Sequence, residues 1–133
     1  MRDTPSPHPL RVLLVDDSKD ARETLRLLLL AWGHQVRLAC DGPSALQECR
    51  TFHPQAVLLD IGLPGTDGWQ VARRIRQEGS CPGAVLVALT GYGSDQDQVR
   101  SRQAGFDLHL TKPAEPAALR HLLACVRSRF ALA

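Results

Sequence analysis

The sequence predicts an α/β protein built on one parallel sheet, and two observations support this fold class. Five short apolar runs recur along the chain, and a helix-length segment follows each of them. Such alternation is typical of β-α units, whose crossover connections make the strands parallel. The runs are residues 12–15, 36–39, 56–59, 84–89 and 108–110. The chain has 133 residues, which is enough for one ordinary domain with a core and too few for two.

The order of the strands can be partly derived from how continuously apolar each run is. A parallel strand that helices cover on both faces is apolar throughout, whereas a less covered edge strand alternates. The first, third and fourth runs (VLLV, AVLL and AVLVAL) are continuous, while the second (QVRLA) and fifth (FDLHL) alternate. With right-handed crossovers, the sequence predicts a doubly wound five-stranded parallel sheet of order 2-1-3-4-5 with helices on both faces.

Helix boundaries are marked by residues that suit caps. Three helical segments are each followed by a glycine that favours a left-handed C-terminal cap: Gly33, Gly79 and Gly105. The predicted N-terminal signals are Pro43 and Pro116 at a first helical position, Asp67 as a cap with Gln70, and Ser94 with Asp97 as a capping box. The fourth helix, about residues 94–104, is the poorest in apolar residues, so we expect it to be weakly anchored.

Composition argues against several functional classes. The net charge of +2 gives no global field that would attract nucleic acid or a membrane surface, so we expect neither as a partner. No segment approaches the ~20 apolar residues of a membrane span, and the N-terminus lacks the apolar core of a signal peptide, which predicts a cytoplasmic protein. Residues 1–9 contain three prolines and are expected to form a disordered leader before a domain at residues 10–131.

Cysteine and histidine spacing does not indicate a zinc site. The four cysteines are irregularly spaced and include no C-x-x-C pair, so we interpret them as reduced, small hydrophobic residues. The five histidines form no cluster in sequence. Zinc is therefore not expected.

Chemically active side chains follow four of the five predicted strands. Asp16 and Asp17 come after the first strand, Asp60 after the third, Thr90 after the fourth and Lys112 after the fifth. Because the carboxyl ends of parallel strands lie at one edge of a sheet, we expect these side chains to meet there. The first and third strands are predicted neighbours, so the three carboxylates should lie together.

Three clustered carboxylates need positive charge nearby. Two like charges at roughly 4 Å repel by about 4 kcal/mol at an effective dielectric constant near 20. A hard divalent cation that prefers oxygen ligands and keeps several waters would relieve this repulsion, and Mg²⁺ is the obvious candidate. Each aspartate alone is open to a simpler interpretation as a turn or cap residue. The combination of three acids, a hydroxyl and an ammonium at strand ends favours a functional site.

These residues make the sequence similar, over about residues 10–131, to the receiver domain of bacterial two-component response regulators. The motif of that family is an acidic pair after strand one, an aspartate after strand three followed by Pro and Asp-Gly, a Thr or Ser after strand four, and Lys-Pro after strand five. It is matched here by Asp16-Asp17, Asp60 with Pro64 and Asp67-Gly68, Thr90, and Lys112-Pro113. The resemblance implies a flavodoxin-like (CheY-like) fold. The segments LLDIGLPGTDG and ALTGYGSDQD look especially like receivers of hybrid histidine kinases.

The resemblance also implies roles for the acidic residues. Asp60 would be phosphorylated by the phosphohistidine of a histidine kinase or a histidine phosphotransfer protein. Mg²⁺ would be held by Asp17 and Asp60, through water by Asp16, and by the backbone carbonyl of Gly62. The protein would assist its own phosphorylation and dephosphorylation, and it would not be an enzyme that acts on a separate substrate.

The remaining implied roles concern phosphoryl contacts and readout. The hydroxyl of Thr90 and the ammonium of Lys112 would contact phosphoryl oxygens, and the bond between Lys112 and Pro113 would be cis. The position of the family's aromatic switch is His109, which departs from the usual Tyr or Phe and is open to interpretation as a solvent-facing residue on an edge strand. Trp69 is interpreted as a packing residue rather than a partner anchor.

The leading functional prediction is a stand-alone receiver, because no output domain follows within the sequence. It would be a phosphorylation-controlled protein-binding switch, or a phosphoryl shuttle or sink. We expect a monomer or weak dimer. Its protein target, which is unknown, would bind the surface formed by helix four, strand five and helix five. An alternative is a receiver excised from a hybrid histidine kinase. A small aspartate-dependent phosphohydrolase is less favoured, because its nucleophile and acid would be two residues apart after strand one, whereas Asp16 and Asp17 are adjacent. A flavin-binding protein is also less favoured, because the acidic DDSKD after strand one would repel the flavin phosphate.

Overall fold

Strands and helices alternate strictly along the chain. The structure, a computed structural model, describes residues 9–62, 67–91 and 95–131. The elements are β1 (Arg11–Val15), α1 (Lys19–Ala31), β2 (Gln35–Ala39), α2 (Gly42–Phe52), β3 (Ala56–Asp60), α3 (Gly68–Glu78), β4 (Val85–Thr90), α4 (Asp95–Ala104), β5 (Leu108–Thr111) and α5 (Pro116–Ala131). All five predicted strands are thus confirmed. The predicted leader, apart from Pro9, lies outside the described residues.

The strands form one parallel sheet in the order β2-β1-β3-β4-β5, as predicted. Strands β3 and β4 are buried along their whole length, whereas β2 alternates between more and less exposed positions. This difference is the one that the apolar patterns indicated, because only the central strands are covered on both faces. Val15 pairs with Leu59, so the residues that follow them, Asp16 and Asp60, lie at the ends of adjacent strands.

Each face of the sheet has its own hydrophobic core. Val57 and Leu59 of β3 pack with buried residues of α2, α3 and α4. Ala56 and Leu58 of the same strand point the opposite way and pack with residues of α1 and α5. This division follows from the two-residue period of a strand. Across the described ranges, no helix combines the length and apolar content needed to cross a bilayer.

Most of the predicted caps are confirmed. Gly33, Gly79 and Gly105 have positive φ angles of 91°, 67° and 108°. Asp67 caps α3 by accepting a hydrogen bond from the Gln70 backbone N–H at 2.8 Å, and Pro116 is the first residue of α5. The prediction for Ser94 lies outside the described residues.

The predicted start of α2 was wrong by one residue. Asp41 is the N-cap and forms a capping box with Ser44, so Gly42 is the first helical residue and Pro43 the second. Asp41 Oδ1 accepts from the Ser44 backbone N–H at 2.8 Å. Proline is tolerated at the second position because the first turn has no internal partner for its N–H groups.

Helix α4 is weakly anchored, as expected. Among its described side chains, residues 98–104, only Ser101 and Ala104 are buried. Val99, one of the two apolar residues there, is 44% exposed. The buried hydroxyl of Ser101 was not anticipated from the sequence.

Candidate functional site

The strand ends bring the predicted acidic residues together at one edge of the sheet. Carboxylate oxygens of Asp16, Asp17 and Asp60 all lie within 4.8 Å of one another. Asp16 and Asp60 are buried, with 2% and 7% of their surface exposed, whereas Asp17 is exposed. The predicted convergence of the three carboxylates is therefore confirmed.

Lys112 extends from the end of β5 into this acidic group. Its Nζ lies 2.9 Å from Asp60 Oδ2 and 3.4 Å from Asp16 Oδ2. Its backbone N–H donates to the carbonyl of Thr90 at 2.8 Å, which ties the β5–α5 loop to the end of β4. The peptide bond between Lys112 and Pro113 is cis, as the family resemblance implied. One ammonium thus sits among three carboxylates, which leaves the group two negative charges in excess.

Burial and neighbouring charges shift two pKa values in the site. Burial raises the pKa of the Asp16 carboxyl, although the Ser18 backbone N–H and the Lys112 ammonium oppose the shift. Burial by itself lowers the pKa of Lys112, but its hydrogen bond to Asp60 and the charges of Asp60 and Asp16 outweigh this effect and raise it. Lys112 therefore stays cationic across the physiological range and offsets part of the acidic charge.

Backbone N–H groups fix one oxygen of each buried carboxylate. Asp16 Oδ1 accepts from Ser18 N at 2.9 Å, and Asp60 Oδ1 accepts from Gly62 N at 3.0 Å. Arg22 of α1 also donates to the backbone carbonyl of Asp16 at 2.7 Å. Sequence reasoning missed Ser18 and Arg22, although a serine just before a helix is a recognisable cap signal.

The acidic group fits a hard divalent cation. Asp16 Oδ2 is buried and has no hydrogen-bond partner among the described residues, since its approach to Lys112 is an ion pair without hydrogen-bond geometry. A buried carboxylate oxygen without a hydrogen bond is costly. All the side-chain ligand atoms in this group are carboxylate oxygens. Oxygen ligands are preferred by Mg²⁺, whereas zinc sites are commonly built from sulfur and nitrogen ligands.

A cleft of about 290 Å³ opens beside Asp60. Its lining residues are Asp60, Ile61, Gly62, Trp69, Leu89, Thr90 and Gly91. Thr90 is the last residue of β4, next to Asp60 at the end of β3, and is 9% exposed. The cleft therefore brings a carboxylate and a hydroxyl together, and the Lys112 ammonium lies against that carboxylate.

The start of α3 lies directly against the end of β3. A Cβ atom on Gly68 would come within 2.6 Å of Ile61 Cα and 2.7 Å of the Asp60 carbonyl oxygen. The Gly68 backbone N–H donates to the Ile61 carbonyl at 2.7 Å. Only glycine allows this approach, which fixes the backbone on the C-terminal side of Asp60.

His109 is half-buried, so its interpretation as a solvent-facing residue was wrong. It lies on the opposite face of β5 from Leu108 and Leu110, as strand alternation predicted. Its Nε2 is buried without a hydrogen-bond partner among the described residues. Burial, with a smaller effect of Arg102, lowers the pKa of the ring. Its role as a switch residue stays a prediction.

Comparison with known proteins places this arrangement in a family. The family model described as "Response regulator receiver domain" matches residues 12–124. The chain belongs to the response regulator receiver family. Receiver domains of this family belong to two-component systems, in which they interact with histidine kinases or phosphotransfer proteins.

Relatives of this receiver domain bear the same family name. It is 39% identical over 120 residues to the response regulator MprA of Mycolicibacterium vanbaalenii, covering 90% of this chain and 50% of that protein. It is 38% identical over 119 residues to MprA of Mycobacterium avium, with the same coverage of 90% and 50%. The chain therefore spans about half the length of the curated relatives it matches.

Solved structures confirm the fold of the receiver domain. The chemotaxis protein CheY4 of Vibrio cholerae matches with a TM-score of 0.85 and 25% identity, over 90% of this chain and 99% of that one. A LuxR-family two-component response regulator from Aurantimonas sp. matches with a TM-score of 0.81 and 30% identity, over 92% and 88%. The CheY-like, flavodoxin-like topology is thus confirmed, and the phosphohydrolase and flavoprotein alternatives are set aside.

Proposed function

We propose that this receiver domain accepts a phosphoryl group from a phosphohistidine onto Asp60 and thereby changes its binding to a protein target. The observation that carries the proposal is the position of Lys112 Nζ, 2.9 Å from Asp60 Oδ2, beside a cleft that Thr90 also lines. This arrangement supplies a carboxylate nucleophile, a fixed cation and space for a phosphoryl group.

The transfer needs no group on the protein other than a positioned carboxylate and positive charge. A carboxylate oxygen of Asp60 attacks phosphorus, the new P–O bond forms as the P–N bond to the donor imidazole breaks, and the departing nitrogen takes a proton from water. The Lys112 ammonium stabilises negative charge on one phosphoryl oxygen, and the Thr90 hydroxyl donates to another. The hydrogen bond from Gly62 N holds the Asp60 carboxylate in one orientation.

Mg²⁺ is the proposed cofactor. The residues that would hold it are Asp17 and Asp60 directly, Asp16 through water, and the backbone carbonyl of Gly62. When bound, the ion would offset the excess negative charge of the carboxylates and of the incoming phosphoryl oxygens. The buried Oδ2 of Asp16, which has an ion pair with Lys112 but no hydrogen bond among the described residues, supports this assignment.

The proposed partners are a histidine kinase or histidine phosphotransfer protein as donor and a protein target as reader. We propose that the target reads the surface of α4, β5 and α5, and that the domain is a cytoplasmic monomer or weak dimer. The protein is a phosphoacceptor that assists its own phosphorylation and dephosphorylation. A role as a phosphoryl shuttle or sink would use the same site and the same donor.

Intact mass after incubation with acetyl phosphate and Mg²⁺ tests the proposal. The wild-type protein should gain the mass of one phosphoryl group, and the gain should be lost when the metal is chelated. Asp60→Asn should gain nothing, because the amide is not a nucleophile. An Asp60→Asn protein that gained the same mass as the wild type would overturn the assignment of the acceptor.

A further inference from the structure

Trp69 connects the cleft beside Asp60 to helix α4. It is the second residue of α3, lines the cleft together with Asp60 and Thr90, and packs against the core on that face of the sheet. Its indole Nε1–H donates to the hydroxyl of Ser101 on α4 at 2.9 Å. The guanidinium of Arg100 lies over the same ring, 4.0 Å from its centroid. One side chain thus borders the phosphoryl site and holds two consecutive residues of another helix.

Few side chains in the described part of helix α4 are buried. Ser101 is fully buried, at 0% exposure, and Ala104 is the only other buried side chain among residues 98–104. A buried hydroxyl is normally hydrogen-bonded, and Trp69 provides that bond here. The hydrogen bond from the Trp69 indole therefore helps to position α4.

Phosphorylation of Asp60 would act on this contact in two ways. It adds three acceptor oxygens and raises the charge from −1 to roughly −1.5 to −2 in a cleft that Trp69 borders. The phosphoryl group would occupy part of the cleft that the tryptophan lines. The added charge attracts the Arg100 guanidinium, which rests on the indole through a cation–π contact. Both effects fall on the side chain that anchors α4.

We propose that Trp69 and Ser101 form the coupling contact by which occupancy of the Asp60 cleft repositions α4. Ser101 is a positioning residue, since it acts through Trp69 and does not itself line the cleft. The inference rests on the proposed phosphorylation of Asp60 and adds a route for its readout that does not require an aromatic residue at the position of His109.

The two indole N–H signals in a ¹⁵N NMR spectrum test the first half of the proposal. Beryllofluoride with Mg²⁺ serves as the phosphoryl mimic. We expect the Trp69 Nε1–H signal to shift when the mimic binds. The Trp32 signal should not shift, because Trp32 packs on the opposite face of the sheet and its Nε1 has no hydrogen-bond partner among the described residues. An unshifted Trp69 signal in mimic-bound protein would overturn the proposal.

Hydrogen exchange in two serine variants tests the second half. Ser101→Ala removes the hydroxyl that accepts from Trp69, and Ser128→Ala removes a hydroxyl on α5 that bonds only within its own helix in the described structure. In the unmodified Ser101→Ala protein, we expect amide exchange in α4 to be about fivefold faster, as loss of one hydrogen bond predicts, and to change no further with the mimic. Ser128→Ala should behave as the wild type.

Arg100→Ala provides a second variant that leaves every buried side chain intact, since Arg100 is exposed. We expect it to reduce the response of the Trp69 signal to the mimic while the fold is retained. If α4 of both Ser101→Ala and Arg100→Ala still responded to the mimic as the wild type does, the coupling role would be refuted.

Intact mass separates this proposal from the proposed function. All these variants should gain one phosphoryl group from acetyl phosphate and Mg²⁺ as the wild type does. A wild-type protein that gained none would refute the proposed function, and with it the trigger for the coupling. A wild-type protein that gained the group while Trp69 and α4 stayed unchanged would refute the coupling alone.

Discussion

Asp17 is the exposed member of the acidic group. A substitution at this residue should therefore change Mg²⁺ binding without disturbing the fold. We predict that Asp17→Asn weakens Mg²⁺ binding by at least the ~10–100-fold that follows loss of an outer-shell partner, because the substitution removes a proposed direct ligand. Isothermal titration with MgCl₂ measures this. Asp20→Asn, an equal change of charge on the first turn of α1, should bind Mg²⁺ like the wild type. Equal affinity in wild type and Asp17→Asn would contradict the assignment.

His34 makes stability dependent on pH. It is 6% exposed, and its Nδ1 accepts from the Leu10 backbone N–H at 3.0 Å, so the ring must be neutral at that nitrogen. Burial, then the charges of Arg127 and Arg120, lower its pKa below the ordinary value of 6.5. The unfolded chain binds more protons between these two values, so this contribution to stability is full above about pH 6.5 and is lost as the pH falls through the folded pKa.

A non-titrating acceptor at residue 34 should therefore flatten the pH profile. We predict that the free energy of unfolding of His34→Asn falls less than that of the wild type between about pH 7.5 and 5.5. Urea denaturation at both pH values measures the difference. His121→Asn, on the exposed side of α5, should keep the wild-type dependence. Identical profiles for His34→Asn and wild type would show that His34 is not the titrating group.

At the residue scale, the sequence predicted which side chains meet but not how each is held. Asp16, Asp60 and Lys112 converge because their places at strand ends are set by the topology alone. The bond from Arg22 to the Asp16 carbonyl and the half-buried ring of His109 depend on side-chain packing, which apolar periodicity does not encode.

The α3 element owes its position to Gly68. We predict that Gly68→Ala destabilises the protein by about 1–3 kcal/mol, because its Cβ would overlap backbone atoms of residues 60 and 61 that cannot move independently. Thermal or urea unfolding measures the change. Gly91→Ala is the matched control, since a Cβ there would meet no atom of the described residues within 4 Å. Equal stability of Gly68→Ala and the wild type would show that the backbone at the start of α3 accommodates a Cβ atom without loss of stability.

At the scale of elements, the boundaries with a single strong signal were predicted correctly. Gly79 and Asp67 mark the two ends of α3, and both caps are present. The start of α2 was misplaced because Pro43 was predicted to be its first residue and Asp41 was not recognised as its cap. Asp41 Oδ1 accepts a hydrogen bond from the Ser44 backbone N–H, so the first turn begins before Pro43.

At the scale of the whole molecule, the order of the sheet determines the site. A parallel arrangement with β1 beside β3 puts Asp16 next to Asp60. The alternation of β2 and β5 placed these two strands at the edges, and right-handed crossovers then favoured the observed order. The depth of burial of Asp16 and the contact between Trp69 and Ser101 could not be predicted in this way. They depend on how helices from different parts of the chain pack on the sheet, which a pattern of residue types leaves open.

Chemical trapping at Asp60 is the most direct test of the central claim that this carboxylate is the acceptor. Borohydride reduces an aspartyl phosphate to homoserine, and peptide mass spectrometry then locates the modified residue. After treatment with acetyl phosphate and Mg²⁺, we expect homoserine at residue 60 and unmodified aspartate at residues 16 and 17. Homoserine at residue 16 or 17, with Asp60 unmodified, would contradict it.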